Sequence, residues 1–281
     1  MLDLNLTLPL RDTPPPVVCA VSYLNTSPLV WGFESTALGE RIRLEYALPS
    51  VCADRVREGS ADIGILPVIE IARQGLEWLP STGIACRGAV RSILLISKVP
   101  MNRIRTVAGD IGSRTSVMLM RVLLAERFGC RPSVLPMPAG LDKMLREADA
   151  ALIIGDPALL LDPIALRLDY EVWDLGEEWW KHTGLPMVFA LWSGAKERID
   201  PRMDELFIES CGYGLAHLDD VLDVECPKRS IPRDLGHAYF TRHIVFELNQ
   251  RDLEGMHAYL KLARALDNLK VSIPVTGTVT V

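Results

Sequence analysis

Nowhere in this chain do apolar residues run for the roughly 18–20 positions that a membrane-spanning helix needs, so no span is expected. Basic residues are in deficit: 30 Lys and Arg stand against 36 Asp and Glu, a net charge of −6. Phosphate backbones are bound by basic faces, so nucleic acid is not expected as the main partner. A small anion is not excluded, because it needs only a local cluster of donors. The six cysteines, Cys19, Cys52, Cys86, Cys130, Cys211 and Cys226, include no CxxC pair. They read as buried reduced thiols of a cytoplasmic protein, not as a disulfide framework. The first sixteen residues lack the cationic start and apolar stretch of a secretory signal, carrying instead Asp3, Arg11, Asp12 and a stop at Pro14-Pro15-Pro16. They read as an extended lead. His217, His237, His243 and His257 have no metal-ligand spacing such as HExxH and read as structural or surface residues. No internal repeat or low-complexity segment is present.

What is present is a 49% hydrophobic chain of 281 residues, enough for one large core or two medium ones. Short apolar runs alternate with helical patterns. Strands are predicted at Val17–Val21, Arg41–Ala47, Asp62–Leu66 and Ser92–Ser97, with helices at Leu29–Leu38, from Pro49 to Glu58 and from Pro67 to Arg73. A second block follows: strands at Thr106–Gly109, Ser133–Pro136, Ala150–Ile154, Tyr170–Leu175 and Met187–Trp192, and helices at Val117–Phe128 and Leu141–Glu147. From Pro201 the pattern is helical: Met203–His217, Pro232–Tyr239 and Leu253–Leu269. Alternation of this kind predicts parallel βαβ units. The late helices need a core, and the first block is the one available. The expected organisation is therefore an α/β protein of two lobes, with an extended lead over 1–16. The first lobe takes 17–99 and 193–281, the second 100–192, and the crossovers fall near Lys98–Arg103 and Phe189–Gly194. A cleft between such lobes is the default ligand site.

The segment Val21-Ser-Tyr-Leu-Asn-Thr-Ser-Pro28 follows an apolar strand with five neutral hydrogen-bonding side chains. Strand C-terminal ends are where open α/β sheets hold small molecules, so it reads as a ligand loop. It reads equally as a capped helix start with Pro28 in the first turn, and the two readings are compatible. Ser113-Arg-Thr-Ser116 precedes a helix and forms a carboxylate cradle of backbone N–H groups and hydroxyls, with Arg114 adding charge, or else an ordinary N-cap. Gly88 either admits close approach of a ligand or makes a turn, and Arg91 either holds a carboxylate or ends a strand in solvent. Leu66 and Pro67 are expected to present backbone groups to the cleft. Asp156 lies near the cleft mouth or caps the helix that starts at Pro157. Trp179, Trp180 and His182 either wall the cleft or pack as core.

Five motifs occur in order: the segment at 21–28, Ala61-Asp-Ile-Gly-Ile-Leu-Pro-Val68, Arg87-Gly-Ala-Val-Arg-Ser-Ile-Leu-Leu95, Ser113-Arg-Thr-Ser116, and Asp174-Leu-Gly-Glu-Glu-Trp179 through Thr183-Gly-Leu-Pro186. With them the chain resembles the chorismate dehydratases over about residues 17 to 270. The resemblance implies a type II periplasmic-binding-protein fold and a lyase without metal or organic cofactor. Its members convert chorismate to 3-[(1-carboxyvinyl)oxy]benzoate and water on the futalosine route to menaquinone. It implies catalytic roles for Asn25 and Ser92, and the chorismate-binding set is expected to include Ser22, Thr26, Leu66, Pro67, Gly88, Arg91, Ser113, Arg114, Thr115, Ser116 and Asp156. The family pattern often carries a hydroxyl residue where this chain has Gly112, which puts one side-chain contact in question. The expected partner is small-molecule chorismate, with no nucleic acid and no membrane; a homodimer is left open. The alternatives are a non-catalytic solute-binding protein and the sibling dihydroxynaphthoate-forming lyase. The first would carry an export signal or lipid-attachment cysteine, the second a general-base histidine in the cleft.

Overall fold

The computed structural model describes residues 14–200 and 202–267. Eleven strands among them form two sheets. The first sheet contains β1 (Val17–Val21), β2 (Arg43–Ala47), β3 (Ile63–Pro67), β4 (Glu77–Cys86), β10 (Met187–Gly194) and β11 (Val245–Glu247), in the order β11-β4-β10-β3-β1-β2. Strand β1 runs parallel to β2 and β3, while β10 runs antiparallel to both β3 and β4. The second sheet contains β5 (Ile93–Ser97), β6 (Thr106–Asp110), β7 (Ser133–Met137), β8 (Ala150–Ile154) and β9 (Glu171–Asp174), in the order β7-β6-β8-β5-β9. Here β6 is parallel to β7 and β8, and β5 is antiparallel to β8 and β9.

The sheet membership moves the lobe boundary expected from sequence. Strand β5 belongs to the second sheet and β10 to the first. The chain therefore crosses out between Cys86 and Ile93 and returns between the helix Leu175–Thr183 and Met187, not near 98–103 and 189–194. Both strands are apolar up to their last one or two residues, with β5 buried throughout. A uniformly apolar strand reports burial on both faces but not which neighbours bury it.

Strand β4 was not anticipated, because Pro80-Ser-Thr-Gly83 in its middle reads as a turn. The pairing of β4 with β10 shifts register across this stretch, a bulge that tolerates a proline without a ladder donor. Gly83 is needed there: a Cβ would stand 2.6 Å from the Ala190 carbonyl oxygen.

The long late helices, Arg202–Ala216 and Gln250–Asp267, pack on the first sheet as expected. Trp192 meets Phe207 at 4.6 Å between ring centroids, and Trp179 meets Tyr259 edge-on at 6.2 Å. Trp179 is thus core, its indole N–H donating to the Pro186 carbonyl, whereas Trp180 is half-buried beside Arg251. All six cysteines are free thiols and five are buried. Among the described residues no helix is long and apolar enough to cross a membrane. The extended lead falls largely, and the ends of the last predicted helix and tail wholly, outside the described residues.

Candidate functional site

The C-terminal ends of β1 and β3 face the start of β5 and the loop after β6. A pocket with a cavity volume of about 70 Å³ lies between them. One wall is Val21, Tyr23, Asn25, Thr26 and Pro67; the other is Ser92, Gly112–Ser116, Ile154 and Gly155.

The first wall follows from its local sequence. After β1 the chain makes a short 3₁₀ turn, Leu24–Thr26, and enters the helix Ser27–Ser35 with Pro28 in its first turn. Neither Tyr23 nor Thr26 makes a side-chain cap. The hydroxyls and the Asn25 amide are therefore not consumed by helix capping. Thr26 is buried and its Oγ1 donates to Asn25 Oδ1 at 3.5 Å. Ser22 points elsewhere: it is exposed, with Oγ 3.5 Å from the Ala47 carbonyl.

The opposite wall is the start of the helix Arg114–Phe128. Its N-cap is Ser113, which makes no capping hydrogen bond. The Ser113 Oγ is buried and has no hydrogen-bond partner among the described residues. The first intrahelical bond runs from the Val117 N–H to the Ser113 carbonyl, so the N–H groups of Arg114, Thr115 and Ser116 have no intrahelical acceptor. A 15-residue helix thus aims free donors and the positive end of its dipole at the pocket. Gly112 donates its N–H to the carboxylate of Asp110 at 2.9 Å. Burial holds the Asp110 carboxyl above the usual aspartate value, an effect partly opposed by that N–H.

The arginines do not behave as expected. Arg114 lines the pocket, but its guanidinium pairs with Asp54 and Glu70, each at 3.0 Å. It clasps the second lobe to the first instead of waiting for a ligand. Arg91 is not a lining residue. It sits at φ +68°, its N–H donates to Asp174 at 2.6 Å, and its guanidinium reaches the carbonyls of Ala158 and Leu161. Gly88 lies off the pocket in the crossover, at φ +116°. Leu66 is buried in the ladder opposite Leu191, while its neighbours Ile65 and Pro67 reach the pocket. Asp156 neither caps a helix nor lines the pocket. Its Oδ1 accepts from the Leu24 N–H at 2.9 Å and its Oδ2 lies 3.3 Å from Arg229, a second clasp between lobes.

The pocket therefore gathers Asn25, Thr26, Pro67, Ser92, Ser113, Arg114, Thr115 and Ser116, and leaves out Ser22, Leu66, Gly88, Arg91 and Asp156. Sequence reasoning did not single out Tyr239, from the helix Arg233–Arg242. Its hydroxyl accepts from Asn25 Nδ2 at 3.2 Å and donates to Ser92 Oγ at 2.7 Å. Nothing local marks it: Tyr239 lies 214 residues from Asn25 and 147 from Ser92. Among the described residues, no group of three or more His, Cys, Asp or Glu side chains is placed to hold a metal ion.

Two lobes closing on a pocket at strand ends define the periplasmic-binding-protein class of fold. Solved structures with this fold include the following two. The alkanesulfonate-binding protein of Xanthomonas axonopodis pv. citri, bound to MOPS, superposes at TM-score 0.64 with 14% identity, covering 92% of this chain and 95% of that one. A Candida albicans protein with the generic periplasmic-binding-protein fold superposes at 0.58 with 13% identity, covering 94% and 99%. More particularly, residues 16–265 match the menaquinone biosynthesis family model, and the chain belongs to that family. Chorismate dehydratase of Thermus thermophilus is 28% identical over 240 residues, covering 78% of this chain and 86% of that protein.

Proposed function

We propose that this protein is a chorismate dehydratase, converting chorismate to 3-[(1-carboxyvinyl)oxy]benzoate and water on the futalosine route to menaquinone. One observation carries the reading: unpartnered donors at a helix N-terminus face Asn25 across a pocket that Ser92 also lines. A dianion with a ring hydroxyl needs such a division into charge-matching and orienting walls. Membership of a menaquinone biosynthesis family and the likeness to a chorismate dehydratase support the choice of substrate.

With Arg114 and Arg91 both engaged, the helix N-terminus takes the ring carboxylate. Donors there stabilise the dienolate that develops as the C3 proton leaves, because C3 is vinylogous to that carboxylate. Asn25 and Ser92 are not basic near neutral pH, so they orient and donate. The C3 proton passes to the substrate's own enolpyruvyl carboxylate. The C–H electron pair becomes a ring double bond, the C4–O bond breaks, and the departing hydroxide takes up the proton that the enolpyruvyl carboxylate had accepted, leaving as water. The product is aromatic, which drives the reaction; the protein contributes chiefly position.

Incubation of the purified protein with chorismate, followed by loss of its absorbance, tests the reading. Asn25→Ala and Ser92→Ala are each expected to lower kcat by about 100-fold, the scale of removing one donor from a developing charge. Near-normal turnover by both would show the assignment wrong. Brisk elimination from an analogue lacking the enolpyruvyl carboxylate would place the base on the protein. Binding of chorismate without turnover would mark a solute-binding protein instead.

A further inference from the structure

We infer that Tyr239 is a positioning residue for this dehydration, assigning opposite hydrogen-bonding roles to Asn25 and Ser92. This rests on the reading of the pocket as a chorismate site.

Tyr239 is fully buried and is not itself a lining residue, so it acts only through its neighbours. Its hydroxyl is placed between the two side chains that face each other in the pocket. A phenol has one proton to give. Because that proton goes to Ser92 Oγ, the Ser92 hydroxyl is the acceptor in this bond and keeps its own proton. The Ser92 O–H has no acceptor among the described residues and lies at the pocket wall, where it faces a ligand as a donor. Because Tyr239 Oη accepts from Asn25 Nδ2, the Asn25 amide is held with Oδ1 on its other side. Thr26 Oγ1 meets that oxygen, fixing the same orientation from the far end.

The result is a directed chain: Asn25 N–H to Tyr239 O–H to Ser92 O–H to the pocket. Each donor in such a chain is polarised by the one behind it. A polarised donor stabilises the charge on a departing hydroxide by hydrogen bonding, while the proton that completes the water comes from the enolpyruvyl carboxyl group. An amide oxygen suits the opposite task, accepting from a substrate hydroxyl to hold the ring in register. Burial also pushes the Tyr239 phenol well above its ordinary value, so the proton that sets the direction stays in place. No residue of the loops carrying Asn25 or Ser92 replaces this hydroxyl. The helix Arg233–Arg242 belongs to the late helical region that packs on the first lobe, so it ties Ser92, at the end of the crossover before β5, to the turn after β1.

Tyr239→Phe keeps the ring and removes only the hydroxyl. Chorismate turnover by the variant is expected to fall about 10–100-fold in kcat, with KM changed by less than about threefold, as for misplacement of a reacting group by an ångström or less. In a Ser92→Ala background the same substitution is expected to cost less than about twofold more, since groups acting as a unit are not additive. Losses that multiply fully would mean that the hydroxyl does not act through Ser92, and would overturn the inference. So would parent-like kcat in Tyr239→Phe. A parent protein that does not turn chorismate over would instead overturn the reading of the site itself.

Discussion

At the scale of single residues, Ser113 and Asp110 decide between ordinary and functional accounts of one loop. A serine before a helix normally caps it, and losing a cap costs about 1 kcal/mol. Ser113 makes no cap and its buried Oγ has no partner. An unsatisfied buried hydroxyl destabilises the fold. Ser113→Ala is therefore expected to leave the melting temperature unchanged or raised, while KM for chorismate rises by about threefold to tenfold, one lost hydrogen bond of about 1 kcal/mol. A fall in melting temperature with KM unchanged would make Ser113 a structural cap after all. Asp110 is the rival base: it is buried, its carboxyl is held above the usual value, and it lies behind Gly112. Its Oδ1 is already occupied by the Gly112 N–H, and the side chain does not line the pocket. Asp110→Asn is expected to keep kcat within about tenfold of the parent, whereas loss of a general base costs about 10²–10⁴-fold. A loss in that larger range would transfer the base from the substrate to Asp110. The residue types at 25, 92 and 113–116 were legible because each sits in a short motif at an element boundary. Tyr239 was not, because its two partners are far away in the chain.

At the scale of elements, periodicity predicted most strands and helices within a few residues. The helix at 141–147 and the strand at 150–154 agree with prediction throughout. Strand β4 was hidden because its bulge carries turn residues, and the pairing that makes it a strand comes from β10 and β11, more than a hundred residues later. The turn from β8 into the next helix is the element junction most exposed to a test. Gly155 sits at φ +65°, and a Cβ there would stand 2.7 Å from the Tyr23 ring. Gly155→Ala combines a left-handed backbone with a ring clash, so a loss of about 1–3 kcal/mol in stability is expected, read by denaturant unfolding. Because Tyr23 lines the pocket, KM should rise as well. A variant as stable as the parent would show that the junction relaxes without strain.

At the scale of the whole molecule, the lobes are joined by contacts on both sides of the pocket. Arg114 reaches Asp54 and Glu70 on one side, and Asp156 reaches Leu24 and Arg229 on the other. Between them the Thr115 hydroxyl donates to the Phe189 carbonyl at 3.2 Å. Hinged folds of this kind close around ligands, and closure excludes water from the reaction. Asp156→Ala removes one clasp and leaves Arg229 paired with Glu225. Small-angle scattering is expected to show a larger radius of gyration for the variant than for the parent without chorismate, with the difference shrinking once chorismate is added. Equal radii would mean that Asp156 does not govern closure.

The order of motifs, the alternation of apolar runs and the neutral character of the loop after β1 were written in the sequence, and they sufficed for the fold class, the family and part of the pocket walls. Burial and helix starts are local properties, carried by spacing and residue type. Which donors remain free was decided only in three dimensions. A guanidinium bound to two carboxylates is no longer available to a substrate, and a phenol has a single proton to direct. Those partners lie tens to hundreds of positions away: Asp54 and Glu70 for Arg114, Ala158 and Leu161 for Arg91, Tyr239 for Asn25 and Ser92. The uncharged loop keeps its place at the site, but the charge that answers it comes from a helix end and not from the two arginines beside it.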